Sequence, residues 1–342
     1  MRLTDKDSLA KERVNMQAGE AVIGIDISKA SFDSVMRGAG KEQHQVFSND
    51  QKGYEKIVAW IRKQPERVVH VGMEATGRYW VGLTEYLYQE GYTVSVINPF
   101  QVKRYGDHVL NRNKTDKSDA SLIAEFCEKD RERLRVWKPN SPEIKALRSM
   151  ERRLDELQGM KRQEQNRLKS LVSDLVVKES LQENIKNLEQ QIENLMKKIE
   201  ELVKRHPSLR EEQRLLTSIP GIGKLTAIRL MAEIGDFKEF ESAAQLAAYA
   251  GLSPKQFQSG SSVHKQTRIS KQGKRELRKY LYMPAVVATN YNPIVMDLKR
   301  RMLASHHVKM EIIVAAMKKL LHLAYGVLKS GKPFDPLFST QT

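Results

Sequence analysis

The stretch "AVIGIDIS", residues 21–28, decides how the first part of the chain folds. It is apolar from Ala21 to Ile25 and then meets a carboxylate, Asp26. A short apolar run closed by polar residues reads as a buried strand. Working outward, "YEKIVAWIRKQ" (54–64) has helical spacing, and "RVVHVGMEATG" (67–77) is a second strand, ending at Glu74. A helical stretch, "RYWVGLTEYLYQEG", follows it, and "YTVSVINP" (92–99) is a third strand closed by Pro99. "DKSDASLIAEFCEKD" (116–130) is helical again. Strands alternating with helices predict an α/β unit, with parallel strands and helices packed against the sheet.

The chain has 342 residues, 40% of them hydrophobic, which is enough for two or more domains with real cores. Its formal net charge of +16 points to a polyanionic partner, most often nucleic acid. A basic membrane-surface protein is the weaker alternative, and no apolar run approaches the length of a membrane span. Residues 1–20 are polar, lack an apolar signal core and read as a flexible tail, so a cytoplasmic location is expected. Cys127 is the only cysteine, which excludes an intramolecular disulfide and a cysteine-based zinc site. It reads as a buried, reduced thiol.

The α/β texture covers residues 21–137 and stops at the proline-marked linker "VWKPNSPE". Residues 141–206 read as long coiled-coil helices. Leu181, Ile185, Leu188, Ile192, Leu195, Ile199 and Leu202 form a heptad seam, a pattern that favours a parallel dimer if it pairs between chains. Leu147, Leu154, Leu168 and Leu175 follow another phase, with Lys161 at the vacant position. Ser180 and Glu183 have capping-box spacing, so a break near residue 180 is expected. The two helices could form a hairpin within one chain or pair between chains. Residues 207–336 form a third, helix-rich region, in which Ile313, Met317, Leu320, Ala324 and Leu328 mark a core-facing helix stripe.

Asp26 and Glu74 end strands, and Asp116 and Asp119 share one face at a helix start. If the four met, their charge would require a divalent cation, and hard oxygen ligands suit Mg²⁺ or Mn²⁺. Each taken singly also fits a plainer role: Asp116 as a helix N-terminal carboxylate, Asp26 as a turn residue.

"IPGIGKL" (219–225) superficially suggests a phosphate loop, but Ser218 and Leu225 stand where a Walker motif needs Gly and Ser or Thr. It reads better as a helix–hairpin–helix, in which Gly221 and Gly223 let backbone N–H groups face a phosphate and Lys224 adds charge. A tight turn without a ligand is the alternative. In "QSGSSVHKQTR" (258–268), a Ser/Gly loop opens a basic run of Lys255, Lys265, Arg268, Lys271, Lys274, Arg275, Arg278 and Lys279, opposed only by Glu276. The run reads as a phosphate-contacting surface. The loop is either a flexible connection or the seat of a serine nucleophile, and spacing alone does not choose among Ser259, Ser261 and Ser262.

Taken in order, "IGIDISK", "MEATG", "VSVINP", "NKTDKSDA", "SIPGIG", "YAGLSPKQFQSGSSV", "ISKQGKRELRKYLYMPA" and "AYGVLKSGKPFD" resemble the bridge-RNA-guided insertion-sequence recombinases, the IS-one-ten family of bacterial transposases. The resemblance runs from about residue 21 to near residue 336. It implies an RNase H-like (RuvC-like) N-terminal domain, whose DEDD set, Asp26, Glu74, Asp116 and Asp119, binds Mg²⁺. It also implies a helical C-terminal transposase domain, with Ser259 of the S-G-x-S motif as nucleophile and a 5′-phosphoserine DNA intermediate. Further implications are donor and target DNA, a noncoding guide RNA, a homodimer or tetramer on DNA, no ATP, and a place in the bacterial cytoplasm at the nucleoid. A metal-dependent, structure-specific nuclease and a non-enzymatic nucleic-acid scaffold are the rival readings.

Overall fold

The computed structural model describes residues 19–38, 41–75, 77–109, 115–131, 134–170, 174–259 and 263–337, with the backbone alone over 255–259 and 263–268. The chain divides into two compact units, Met1–Pro139 and Asn140–Thr342.

The first unit is built on a five-stranded mixed sheet. Its strands are β1 (Glu20–Ile27), β2 (Ser31–Gly38), β3 (Lys41–Ser48), β4 (Arg67–Glu74) and β5 (Val94–Ile97), in the order β3-β2-β1-β4-β5. β1, β4 and β5 run parallel, while β2 and β3 are antiparallel to their neighbours. The three parallel strands lie where the apolar runs predicted them. β2 and β3 carry no such signal, because β3 is an exposed edge strand rich in charged and polar side chains.

Alternation along β1 sends its side chains to two different layers. Ile23, Ile25 and Ile27 join Phe32, Met36, Val71 and Met73 against α1 (Gln51–Arg62) and α2 (Trp80–Gln89). The other face lies under α4 (Asp116–Asp130), which follows α3 (Pro99–His108). Val22 packs with Leu122, Ile123, Phe126 and Cys127 of α4, and Val35 packs with Ala120 and Ala124. Two glycines make this contact unusually close. A Cβ on Gly24 would lie 2.2 Å from both the Ala120 carbonyl oxygen and the Ala124 nitrogen, and one on Gly72 would lie 2.1 Å from Cys127 Sγ. Cys127 is fully buried, as its sequence context predicts, and burial pushes its thiol up to about 12.

The second unit begins with two long helices, α5 (Pro142–Lys169) and α6 (Leu175–Arg205). They fold back on one another within the chain: Lys161 Nζ lies 2.9 Å from Glu189, and Leu147 and Leu154 share a cluster with Ile199 and Val203. The break falls before Leu175, not near residue 180. Asp174 caps α6 by accepting from the Val177 amide, which leaves Ser180 and Glu183 inside the helix. After α6 come α7 (Pro207–Thr217), α8 (Lys224–Ile234), α9 (Ala243–Tyr249), a two-stranded ribbon of β6 (Pro254–Ser259) and β7 (Val263–Ile269), and then α10 (Arg275–Tyr291), α11 (Pro293–Ala304) and α12 (Lys309–Ser330). The predicted stripe of α12 is core: Ile313, Met317, Leu320 and Ala324 are buried, and Leu328 packs at its margin. The stretch read as a Ser/Gly loop is mostly ribbon, with Ser259 paired to Val263 across it.

Candidate active site

The parallel strands end at one edge of the first unit's sheet, and the carboxylates gather there. Met73 pairs with Ile25, so Glu74 follows beside Asp26. Asp26 lies two residues beyond Gly24, hence on the face that α4 covers. The start of α4 is set by a reciprocal pair: the Ser118 amide donates to Thr115 Oγ1 at 3.1 Å, and the Thr115 amide donates to Ser118 Oγ at 2.9 Å. Asp116 and Asp119 occupy this first turn, where the helix dipole favours negative charge. One turn further on, Ala120 and Ile123 are buried against the sheet. The close seat of α4 on Gly24 therefore lowers both acids towards β1.

The electrostatic result is seen at Asp26. Burial first, and then the charges of Asp119, Asp116, Glu74 and Asp33, push its carboxyl up from 3.8 to about 6. Asp119, Asp116 and Glu74, singled out from the sequence, thus lie within electrostatic range of Asp26. Among the described residues, however, no three His, Cys, Asp or Glu side chains form a ready ligand set for a metal. Like charge disfavours their closing together without a cation. The donor set is entirely carboxylate oxygen, as Mg²⁺ or Mn²⁺ prefer, and its crowded charge calls for a cation.

Two supporting residues escaped the sequence reading. Asp33 stands directly opposite Asp26 on β2, and its Oδ1 lies 2.7 Å from His44 Nε2. Asn49 Nδ2 donates to the Ser28 carbonyl at 2.8 Å and to the Tyr79 carbonyl at 3.3 Å, while Asn49 Oδ1 accepts from the Tyr54 hydroxyl at 2.8 Å. It ties the turn after Asp26 to the segment after Glu74. Only the turn-like "SND" at residues 48–50 hints at such a role.

In the second unit, the two glycines of the hairpin have different surroundings. Gly221 has φ +103°, and a Cβ there would lie 2.8 Å from Ala288 Cβ and 3.1 Å from the Pro284 carbonyl oxygen. Its glycine serves the turn and the packing against α10. Gly223 is different: it is the N-cap of α8 without a side-chain cap, and open space surrounds its Cβ position. Lys224 beside it is exposed.

The basic run is not uniformly a free surface. Lys279 Nζ lies 2.7 Å from both oxygens of Asp155, Lys274 Nζ is 3.9 Å from Glu233, and Arg278 donates to backbone carbonyls. Lys271, at φ +55°, and Arg275 are exposed. Ser261 and Ser262 lie outside the described residues, as do the side chains of Ser259, Lys265 and Arg268. Ser259 belongs to the second unit and the four acids to the first. No helix among the described residues is long and apolar enough to cross a membrane.

Comparison with known proteins supplies the family. A family model described as "Transposase", of the DEDD type of IS110, matches residues 23–177, and one described as "Transposase IS116/IS110/IS902 family" matches residues 213–300. The pilin gene-inverting protein of Moraxella bovis is 36% identical over 320 residues, covering 92% of this chain and 97% of that protein. The transposase for insertion sequence element IS1111A of Coxiella burnetii is 27% identical, over 80% of this chain and 79% of its own. Among solved structures, T. thermophilus RuvC in complex with a Holliday junction substrate aligns with 33% of this chain and 96% of its own, at 12% identity and a TM-score of 0.26. The extent and identity of the Moraxella match, with family motifs in both units, decide the matter: the chain belongs to the IS110 family of transposases and recombinases, enzymes that act on DNA.

Proposed function

We propose that this enzyme is an RNA-guided DNA recombinase of an insertion sequence, in which Ser259 is the nucleophile and Asp26, Glu74, Asp116 and Asp119 hold Mg²⁺ or Mn²⁺. The observation that carries the reading is the convergence of Asp26 with Asp119, Asp116 and Glu74 at the sheet edge. When bound, the divalent ion would neutralise this charge and stabilise charge developing on the scissile phosphate. Ser259 Oγ gives up its proton and attacks phosphorus, an Oγ–P bond forms and the P–O3′ bond breaks, so that one proton is lost at Oγ for the one gained by the leaving oxygen. The departing 3′-oxygen takes up a proton, and the serine is left esterified to a 5′-phosphate. A 3′-hydroxyl of another strand reverses the step, so bond energy is conserved and no ATP is needed. This agrees with the absence of a Walker motif in "IPGIGKL".

A RuvC-like fold for the first unit fits its mixed five-stranded sheet, with acids at the ends of β1 and β4. The open N-terminus of α8 at Gly223 suits a helix–hairpin–helix contact with a DNA phosphate. The exposed Lys271 and Arg275 suit backbone contacts. The α5–α6 pair would form a helical arm beside the transposase helices, and the enzyme would assemble as a dimer, or as a tetramer on DNA. A noncoding RNA would select donor and target by base pairing.

The test has two arms. Protein–DNA adducts formed on the element's own ends should map to Ser259 and vanish in Ser259→Ala; an Ser259→Ala variant that still recombines refutes the serine chemistry. RNA copurifying from cells that carry the whole element should be enriched in its noncoding flank; no enrichment refutes guidance.

A further inference from the structure

We infer that Arg278 is a positioning residue that holds the root of the serine ribbon, not one of the phosphate contacts its place in the basic run suggests. The inference rests on reading Ser259 as the nucleophile.

The ribbon leaves and re-enters the helical body at two adjacent points. The Ser270 amide donates to the Ser253 carbonyl at 2.9 Å, the Lys271 amide to Gly251 at 3.2 Å and the Lys274 amide to Tyr249 at 2.8 Å. Arg278, one turn into α10, spans both points. Its Nη1 donates to the Ala250 carbonyl before β6 at 2.9 Å, and to the Gly273 and Lys274 carbonyls after β7 at 3.2 and 3.3 Å. Two Nη1 hydrogens thus serve three carbonyls, and that nitrogen has none to spare for a phosphate.

Two glycines make room for this arrangement. Gly251 has φ +69°, and a Cβ there would lie 2.6 Å from Arg278 Nη1; a Cβ on Gly273 would lie 2.3 Å from the Tyr249 carbonyl oxygen. The helix that carries Arg278 is itself held firmly. The Tyr280 hydroxyl donates to buried Glu151 at 3.2 Å, Arg229 Nε donates to the same carboxylate at 3.2 Å, and Lys279 pairs with Asp155. The ribbon that bears Ser259 is therefore tied to α10 by the Arg278 guanidinium together with the backbone bonds at its root, and through α10 to α5 and α8.

Arg278→Lys and Arg278→Met separate the two roles. Lysine keeps the charge but not the planar fork, so it should rescue a phosphate contact and not a clamp. The full-length protein is used in three measurements: hydrogen exchange at the Ser270, Lys271 and Lys274 amides, the salt dependence of binding to a nonspecific DNA duplex, and the rate of Ser259 adduct formation on the element's ends with its RNA at saturation. Both variants should exchange at least tenfold faster at the ribbon root, bind duplex with the wild-type salt slope, and form adduct at least tenfold more slowly. A salt slope reduced by about one in Arg278→Met and restored in Arg278→Lys, with wild-type exchange, overturns the inference in favour of a phosphate contact. Wild-type exchange in both variants overturns it whatever the binding. If the wild-type protein forms no adduct at Ser259, the serine reading falls, while the exchange result still decides the clamp. Gly251→Ala, which crowds the guanidinium from the chain side, should reproduce the faster exchange if either arginine variant folds poorly; wild-type exchange there also counts against the clamp.

Discussion

Asp26→Asn should stabilise the metal-free protein while abolishing strand cleavage. The Asp26 carboxyl is raised from 3.8 to about 6, by burial and by Asp119, Asp116, Glu74 and Asp33. A difference of about two pH units, at about 1.4 kcal/mol each, is about 3 kcal/mol of unfavourable free energy in the charged form. Part of the carboxyl still meets solvent, which screens the charges, so about 2 kcal/mol is the working figure. For an acid whose folded value lies above its unfolded one, the cost is fully present above about pH 6. It fades as the pH falls towards 3.8 and is absent below that. Asparagine keeps the shape and removes the charge. In chelator at pH 8, Asp26→Asn should raise the melting temperature of the first unit by roughly 5–10 °C. At pH 4 the gain should nearly vanish. Excess Mg²⁺ should stabilise the wild type and leave the variant little changed. Scanning calorimetry at the two pH values, with and without metal, reads all of this. A variant that melts at or below wild type at pH 8 in chelator, or a gain equal at both pH values, would refute the electrostatic account.

Gly24→Ala should lower the stability of the first unit by about 2–3 kcal/mol and suppress cleavage, because its Cβ would press on the α4 backbone that carries Asp116 and Asp119; urea unfolding and a cleavage assay measure the two effects. Glu151→Ala should cost the second unit about 1–3 kcal/mol by removing the buried acceptor shared by Arg229 and the Tyr280 hydroxyl, as read by calorimetry, and Glu151→Gln should cost less. Lys224→Gln should reduce the salt slope of duplex binding by about one without altering the site of adduct formation, as checked by binding titrations and adduct mapping.

The fold was readable wherever local pattern and tertiary need coincide. β1, β4 and β5 are buried runs, so their apolar residues announce them, and α4 is announced by the helical pattern of "DKSDASLIAEFCEKD". β2 mixes polar with apolar residues, and β3 is an edge whose partners are backbone groups, so neither leaves a periodic trace. Ser180 and Glu183 imitate a cap, yet α6 starts at Leu175, because capping spacing also occurs inside helices. In sequence the basic run has the pattern of a single surface, although Arg278 and Lys279 point their charge at carbonyls and a carboxylate of the chain itself.

By itself, then, the sequence determined the alternation of strands and helices, the basic character that suits a nucleic-acid enzyme, and, through family motifs, which four acids to propose as the metal set. It could do so because strand burial, helix capping and net charge are properties of short segments or of composition. Only the tertiary structure decided that those acids share one electrostatic site, that Asp33 joins them, that Asn49 ties two of their loops, and that Arg278 grips the ribbon root. Each of these depends on distances between residues far apart in the chain, set by the glycine-lined seat of α4 and by the packing of α10 on α5 and α8.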